Sequence, residues 1–410
     1  MPQDYNNKLT QRFEAMLRTN KSYFFDVDEF LDIIDEYIVM ANYNMAYKAI
    51  EIGLQQHHQS VDIQLYKAEL YALDDQLDKA MQLLKELQNQ EPDRIEIPML
   101  EAELFSRKHM HREAIAALQK ALDLPDHDPQ EIYELMTVEY LYLDDYRSAL
   151  NTALESLRLN PASSTSLYNA ITCYDLLDEA DKATAFLEEY VDKNPFSEIA
   201  WSLLAKKYIN QEAYNKALKA IEFAIAIDDR FLGAYYDKAY IYNKLKQYTK
   251  ALECYRQTLK IADPTAFTYY HMARIYEKIN DYNQAAEYYL LAIAEDPGHY
   301  KSWIRVVQIK IRINDLDGAL DIAKKALEIV NNQELFVLLA DIYVLKNDLY
   351  KAIPALEMSL KLGEKKLDII LKLADLYKQT HKVEKFRQLL LDAKKAYPDS
   401  QEIKKRMLGQ

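Results

Sequence analysis

The residue types that usually carry catalysis or bind metals are present, but they do not form a recognisable site. The sequence contains no phosphate-binding glycine loop, no HExxH motif, and no GxSxG, CxxC or EF-hand pattern. The pairs His57-His58 and His109/His111 are expected at exposed helix ends, where histidines seldom bind metal. We therefore predict no enzymatic activity, no cofactor and no metal site.

The remaining reactive side chains have structural explanations. Cys173 and Cys254 lie beside predicted core positions, and buried, unreactive thiols are expected there. The adjacent carboxylates Asp74-Asp75 and Asp144-Asp145 fall in predicted turns, where they would cap the helix that follows. Most of the 33 tyrosines fall on apolar stripes and are expected to pack in the core.

The elements that position these residues are short helices, as the stretch 266–299 shows. Tyr269, Met272, Ala273 and Tyr276 recur at i, i+3, i+4 and i+7, which predicts one face of an amphipathic helix. Asn280-Asp281 then interrupts the pattern with residues that favour turns and helix caps. A second stripe follows, formed by Tyr282, Ala285, Ala286, Tyr289 and Ala292, and it ends at Pro297-Gly298.

This helix pair repeats along the chain with a period of 34 residues, varied by one residue at two places. A small or aliphatic residue marks the first helix of each unit: Ile34, Ala68, Ala102, Thr137, Ile171, Ala205, Ala239, Ala273, Val307, Ala340 and Ala374. Alanine marks the second helix at Ala46, Ala80, Ala114, Ala149, Ala183, Ala217, Ala251, Ala285, Ala319 and Ala352, and the last unit has Phe386 there. Such a small residue allows two helices to approach closely. One hairpin cannot bury its apolar face alone, so the units are expected to stack.

The repeated residues resemble the tetratricopeptide repeat (TPR) family, whose 34-residue unit has large residues early in its first helix, small residues where the two helices meet, and a terminal proline. The clearest matches are Trp201-Leu204-Ala205-Tyr208-Ala217 and Tyr269-Ala273-Tyr276-Ala285-Tyr289-Pro297. The resemblance implies an all-α fold, a right-handed α-solenoid superhelix of about eleven antiparallel helix hairpins. It also implies a non-enzymatic scaffold that binds a protein or peptide in a concave groove lined by the first helices.

The predicted organisation is one array between two caps. Residues 1–26 are expected to form an N-terminal capping helix, and 401–410 a C-terminal capping segment. Asp26 and Glu29 have capping-box spacing, so the first array helix should begin near Val27. The array 27–400 divides into 27–60, 61–94, 95–129, 130–163, 164–197, 198–231, 232–265, 266–299, 300–332, 333–366 and 367–400.

Composition and charge limit the classes of function that are expected. The formal net charge is −14 and the pI about 5.2, which argues against general binding to nucleic acid or anionic membranes. No stretch is apolar enough to span a membrane, and the first residues do not read as a signal peptide. These features predict a cytoplasmic protein, and the frequent use of Asn, Lys and Tyr hints at a bacterial source.

The groove positions implied by the family differ in charge along the chain. The first four units place carboxylates there, with Arg107 as the basic exception: Asp28, Asp32, Asp35, Asp62, Glu69, Glu96, Glu103, Glu131 and Glu134. Units six to nine place basic, aromatic and amide residues there, diluted by Asp237 and Glu277: Lys206, Tyr236, Tyr240, Asn243, Lys244, Tyr270, His271, Arg274, Lys278, Lys301, Arg305, Gln308 and Arg312.

The second set suggests a partner with an acidic segment or a C-terminal carboxylate, because Tyr offers contact area and Arg can hold a carboxylate through two hydrogen bonds. Lys301 and Arg305 match the last two basic positions of the family's carboxylate-clamp subset, whereas Tyr236, Tyr240 and His271 replace its other residues. The candidate contacts are Tyr236, Tyr240, Tyr270, His271, Arg274, Lys301, Arg305 and Arg312. Alternatives are binding of single-stranded RNA, self-assembly of acidic against basic surfaces, or a merely solvated helix face.

Overall fold

The computed structural model describes residues 2–19, 22–125 and 128–408, with side chains from Lys8 onward, and these residues form 24 helices and their connections. The helices are α1 (Pro2–Thr19), α2 (Val27–Val39), α3 (Tyr43–Gln56), α4 (Val61–Leu73), α5 (Leu77–Gln90), α6 (Glu96–Arg107), α7 (His111–Leu122), α8 (Pro129–Tyr142), α9 (Tyr146–Leu159), α10 (Ser164–Leu176), α11 (Ala180–Lys193), α12 (Glu198–Asn210), α13 (Tyr214–Ile227), α14 (Leu232–Lys244), α15 (Tyr248–Ile261), α16 (Ala266–Lys278), α17 (Tyr282–Glu295), α18 (Tyr300–Arg312), α19 (Leu316–Ile329), α20 (Gln333–Leu345), α21 (Leu349–Leu362), α22 (Leu367–Gln379), α23 (Val383–Ala396) and α24 (Gln401–Met407).

The chain divides into two compact units, Met1–Ala200 and Trp201–Gln410. Within each unit, consecutive helices pack as hairpins, for example α4 with α5 in the first unit and α16 with α17 in the second. The first helix of a hairpin also contacts the first helix of the next, as α4 and α6 or α18 and α20 do. Stacking of this kind confirms the predicted all-helical solenoid.

The repeated small residues lie at the tightest packing positions. The ten alanines of the second helices are each 0% exposed, from Ala46 to Ala352. The eleven marks on the first helices are at most 4% exposed, from Ile34 to Ala374. A larger side chain at the second-helix positions would push two helices apart, and this requirement for alanine recurs once in every unit.

Each hairpin turns in the same way. The residue after the C-cap of the first helix has a positive φ in all eleven hairpins, although none of these residues is glycine: Ala41, Asp75, His109, Asp144, Asp178, Glu212, Lys246, Asn280, Asn314, Asn347 and His381. The next backbone N–H donates to the carbonyl five residues earlier, as from Asp281 to Tyr276 at 2.9 Å. This pair of features is the Schellman motif, which satisfies carbonyls left free at a helix end.

The turns correct one detail of the sequence interpretation. Asp145 caps α9 by accepting from the backbone N–H of Ser148 at 3.1 Å, as predicted. Asp74 and Asp75 do not cap α5, because Asp74 ends α4 and Asp75 takes the left-handed turn position. Backbone hydrogen bonds at the end of α4, such as that from Gln76 N–H to the Tyr71 carbonyl, determine which position each residue takes in this turn.

The first hairpin begins as the sequence indicates. Asp26 and Glu29 form both hydrogen bonds of a capping box at the start of α2. Phe13 of α1 is fully buried against Phe25 and Phe30, with ring centroids 6.0 and 6.4 Å away. Helix α1 therefore extends the core of the first hairpin. Residues 1, 20, 21, 409 and 410, which fall in or beside the predicted caps, lie outside the described residues, as do Asp126 and His127.

The isolated reactive residues are mostly structural. Cys173 and Cys254 are buried as predicted, and burial raises the pKa of each thiol to about 11. The expectation of exposed histidines is wrong for His57 and His111, which are partly buried because their rings bond the carbonyl of Phe25 and the carboxylate of Glu139. In the described part of the chain, no helix is long and apolar enough to cross a membrane.

Candidate functional site

Three first helices of the second unit, α14, α16 and α18, position the predicted contacts. Within each helix the residues stand four apart, as Tyr236 and Tyr240 or Lys301 and Arg305 do, so each pair shares a face. Of the three helices, α16 has a side-chain cap bond, and α14 and α18 do not. Thr265 accepts from the N–H of Thr268 to begin α16, and His299 precedes α18 with its Nδ1 2.8 Å from the Ser302 hydroxyl.

The first cleft lies between α14 and α16 and has a volume of about 430 Å³; we call it the aromatic cleft. Four predicted residues line it: Tyr236, Tyr240, His271 and Arg274. Further lining residues are Asp237, Asn243, Lys244, Tyr255, Phe267 and Lys278. Of these, Tyr255 and Phe267 were not anticipated from the sequence.

Rings surround His271 in the aromatic cleft. Its ring centroid lies 4.3 Å from that of Phe267, and it stacks on Tyr255 at 6.1 Å. Burial, with smaller contributions from Arg274 and His299, lowers the pKa of His271 to about 4. The imidazole is therefore neutral near pH 7 and contributes a flat, uncharged surface.

Hydrogen bonds organise the cationic rim of the aromatic cleft. The Lys278 ammonium donates to the Asn243 side-chain oxygen at 2.7 Å and so links neighbouring repeats. The Lys244 ammonium lies over the Tyr240 ring, 5.3 Å from its centroid. In contrast, the guanidinium of Arg274 makes no hydrogen bond or ion pair with any described residue.

Asp237 is the one carboxylate in the aromatic cleft. Its Oδ2 atom is buried and has no hydrogen-bond partner among the described residues. Burial raises the pKa of this carboxyl group, while Lys206 acts weakly in the opposite direction. An acceptor without a donor is costly inside a protein, so this atom favours a ligand that brings an N–H or O–H group.

The second cleft lies between α16, α18 and α20, has a volume of about 320 Å³ and is called the basic cleft here. Tyr270, Lys301 and Arg305, all predicted contacts, line it together with Tyr300, Ile304, Gln308 and Glu334. Arg305 donates to the Gln308 side-chain oxygen at 3.2 Å and has no ion pair with a described residue. Tyr270 meets His271 edge to face at 5.5 Å, so the two clefts share this wall.

Arg312 is the only predicted contact that lines neither cleft. Its guanidinium lies over the ring of Tyr282, 4.7 Å from the centroid, on the second helix of the preceding hairpin. The structure therefore brings seven of the eight predicted residues into two adjoining clefts. In the described part of the chain, no group of three His, Cys, Asp or Glu residues is placed to bind a metal ion.

The folding pattern defines an α-solenoid built from stacked helix hairpins, with adjoining clefts on its first helices. Two tetratricopeptide repeat family models match residues 138–198 and 230–294. The chain contains tetratricopeptide repeats, and the family resemblance of its sequence is confirmed.

Solved structures align with this chain at low sequence identity and with TM-scores below 0.5. A tetratricopeptide repeat protein from Parabacteroides merdae aligns over 60% of this chain and 98% of its own, with 16% identity and a TM-score of 0.41. YrrB, described as a TPR protein with an unusual peptide-binding site, aligns over 45% and 95%, with 16% identity and a TM-score of 0.37. A chain of the APC/C hetero-tetramer Cut9-Hcn1 aligns over 97% of both, with 12% identity and a TM-score of 0.35. No curated protein matches the sequence.

Proposed function

We propose that this protein is a non-enzymatic interaction scaffold that binds an acidic peptide segment, or a C-terminal carboxylate, in the aromatic and basic clefts. Tetratricopeptide repeat proteins in general bind protein or peptide partners, and the repeats of this chain support a scaffold role. The family models include the segment 230–294, which carries the whole aromatic cleft.

The observation that carries the proposal is that three cations in the clefts form no ion pair with a described residue. The chain has 65 acidic and 51 basic residues, so carboxylates are in excess. Nevertheless Arg274, Lys301 and Arg305 form no ion pair with any described residue, although they line clefts next to aromatic rings. A guanidinium in a partly enclosed site gains most from a carboxylate, which it can hold through two hydrogen bonds.

Different groups in the clefts recognise different parts of the partner. The rings of Tyr236, Tyr255 and Phe267 offer an apolar surface for one side chain of the partner. The Asp237 Oδ2 atom offers an acceptor for a peptide N–H, and Arg274 a donor for a carboxylate. An extended peptide supplies all three groups within a few residues.

Two further features belong to the proposal. We assign the protein to the cytoplasm, and we assign no catalytic step or cofactor to the clefts, which only bind. Its source is taken as bacterial, and self-association remains a competing use of the same cations.

The decisive experiment is affinity capture from a cell lysate with mass spectrometry, comparing the wild type with the Arg274→Glu/Arg305→Glu double variant. The matched control is Lys219→Glu/Lys325→Glu, which reverses two exposed charges on second helices. We expect the wild type and the control to retain the same partners and the cleft variant to lose them.

Two results would contradict the proposal. An unchanged set of partners on the cleft variant would remove the clefts as the binding site. Binding of single-stranded RNA with a steep dependence on salt, measured by electrophoretic mobility shift, would replace the peptide with a nucleic acid. Light scattering over a range of ionic strength would reveal self-association, since such contacts between opposite charges weaken with salt.

A further inference from the structure

A groove in the first unit is lined by mainly apolar side chains and has a volume of about 790 Å³, which is larger than either cleft of the second unit. Helices α4, α6 and α8 form it together with one residue of α7, and its apolar walls include Leu65, Met99, Leu100, Leu118, Ile132 and Leu135. We call it the acidic groove, because Glu69, Glu96, Glu103 and Glu131 also line it. Its volume is in the range of ~300–1,000 Å³ typical of ligand sites, so it can accept several side chains of a partner.

Carboxylates border the apolar walls, and only some of them are neutralised. Glu96 accepts from Arg94 at 3.0 Å, and Glu103 from Arg107 at 2.6 Å. Glu69 and Glu131 also line the acidic groove, yet neither makes a hydrogen bond or an ion pair with a described residue. The acidic groove therefore combines apolar walls with two carboxylates that have neither a hydrogen bond nor an ion pair with a described residue.

Repulsion among these carboxylates supports the same conclusion. Burial, followed by the charges of Glu103 and Asp35, raises the pKa of Glu69. A bound ammonium or guanidinium group would reverse that repulsion, whereas a neutral ligand would leave it in place.

We infer that the acidic groove binds an amphipathic, cationic segment of a partner protein. Leucine-sized side chains of that segment fill the space between Leu65, Met99 and Leu135, and its Lys or Arg residues reach Glu69 and Glu131. Long basic side chains suit this task because their methylene stems cover apolar surface while the charge stays at the rim. The assignment is independent of the aromatic and basic clefts, which lie in the other unit and carry the opposite charge.

Fluorescence anisotropy with the full-length chain tests this inference. The probe is a labelled helical peptide of about 14 residues, four turns, with Leu on one face and Lys on the other, compared with a scrambled peptide of the same composition. We expect the amphipathic peptide to bind and the Glu69→Gln/Glu131→Gln variant to bind it about tenfold more weakly. Leu135→Ser, at a position that is 40% exposed, should also weaken binding without disturbing the fold.

The control Glu51→Gln/Glu113→Gln removes two exposed carboxylates from second helices and should leave the affinity unchanged. The Arg274→Glu/Arg305→Glu variant should also bind the probe normally, which separates this test from that of the clefts. Absence of binding to the wild type, equal affinity of the Glu69→Gln/Glu131→Gln variant, or equal binding of the scrambled peptide would each overturn the inference. A wild-type dimer that the same variant abolishes would show that a second copy of the chain occupies the groove, and would overturn it too.

Discussion

The acidic groove and the aromatic cleft are built on the same repeat positions but have different floors. Four residues after its uniform alanine, the second helix carries Leu84 and Leu118 in the first unit, and Tyr255 and Tyr289 in the second. Leu118 lines the acidic groove, whereas Tyr255 lines the aromatic cleft. A floor residue can thus change while the packing of the hairpins is kept, and the change converts an apolar surface into an aromatic one with polar atoms.

The two regions also differ in how their charges are used. In the first unit, Arg94 is saturated by Asp62, Glu91 and Glu96. In the second unit the carboxylate is occupied and the cation is not. Glu277 accepts a hydrogen bond from the hydroxyl of buried Tyr289, and Arg274 makes no ion pair with a described residue. The sign of a binding surface therefore depends on which charges are already paired, rather than on how many there are.

The largest effect is expected from removing Tyr289, which has in α17 the same repeat position that Tyr255 has in α15. Tyr289 is fully buried, so Tyr289→Ala should cost about 3–5 kcal/mol, the usual range for deleting a large aromatic side chain from a core. Urea unfolding followed by circular dichroism measures this loss. Because each repeat contacts only its neighbours, hydrogen exchange should show the loss of protection in α15–α18 and not in α4–α8.

The control for that prediction is Tyr300→Ala, at a position that is 41% exposed, which should cost less than ~1 kcal/mol. Equal losses for the two variants would mean that buried Tyr289 stabilises the second unit no more than an exposed tyrosine does.

A second prediction concerns acid sensitivity of the aromatic cleft. The pKa of His271 is lowered from 6.5 to about 4, so between these values the unfolded chain binds the proton more readily than the folded chain. The free energy of unfolding should therefore fall as the pH drops from about 6.5 to 4, by roughly 3 kcal/mol from this residue. Urea unfolding over a pH series should show a shallower fall for His271→Gln.

The exposed His58 supplies the matched control, since His58→Gln should leave the slope as it is in the wild type. A His271→Gln variant with the wild-type slope would show that His271 does not titrate as a buried group.

The acidic groove should respond to pH in the opposite direction. The pKa of Glu69 is raised above 4.5 in the folded chain, so the folded chain binds the proton more readily than the unfolded chain does. The contribution of Glu69 to the free energy of unfolding therefore falls as the pH rises above about 4.5. Glu69→Gln should therefore stabilise the first unit near pH 7, by less than ~1 kcal/mol because the side chain is partly exposed, and should have no effect near pH 4. Glu51→Gln is the control, and a Glu69→Gln variant that gains equally at both pH values would point to propensity rather than charge.

The sequence was sufficient for the repeat and for most of the candidate site. The alanine series could be recognised because one side-chain volume is required at every contact between two helices. Tyr276 belongs to the apolar stripe recognised in the sequence, but its role in the turn was not visible there, because its backbone carbonyl accepts the closing hydrogen bond.

Other features depend on contacts between side chains that are far apart in the sequence. The position of Arg312 could not be foreseen, since its contact with Tyr282 crosses to the second helix of another hairpin. Tyr255 was missed for the same reason, although its position four residues after Ala251 repeats along the chain and would have signalled it. The boundary between the two compact units could not be predicted, because the 34-residue repeat continues unchanged across it.

The uniform turn has a consequence for how the chain can change in length. Each Schellman turn is closed by backbone atoms alone, and the residue at its left-handed position ranges from alanine to lysine without a glycine. Duplicating or deleting one whole 34-residue module would therefore leave every remaining turn intact and would offer each neighbour an interface of the same shape. Residues added or removed inside a helix would instead rotate the rest of its apolar stripe away from its face. The one-residue changes that the chain does carry lie in the connections between hairpins, before α8 and before α20, and leave the later first-helix marks buried.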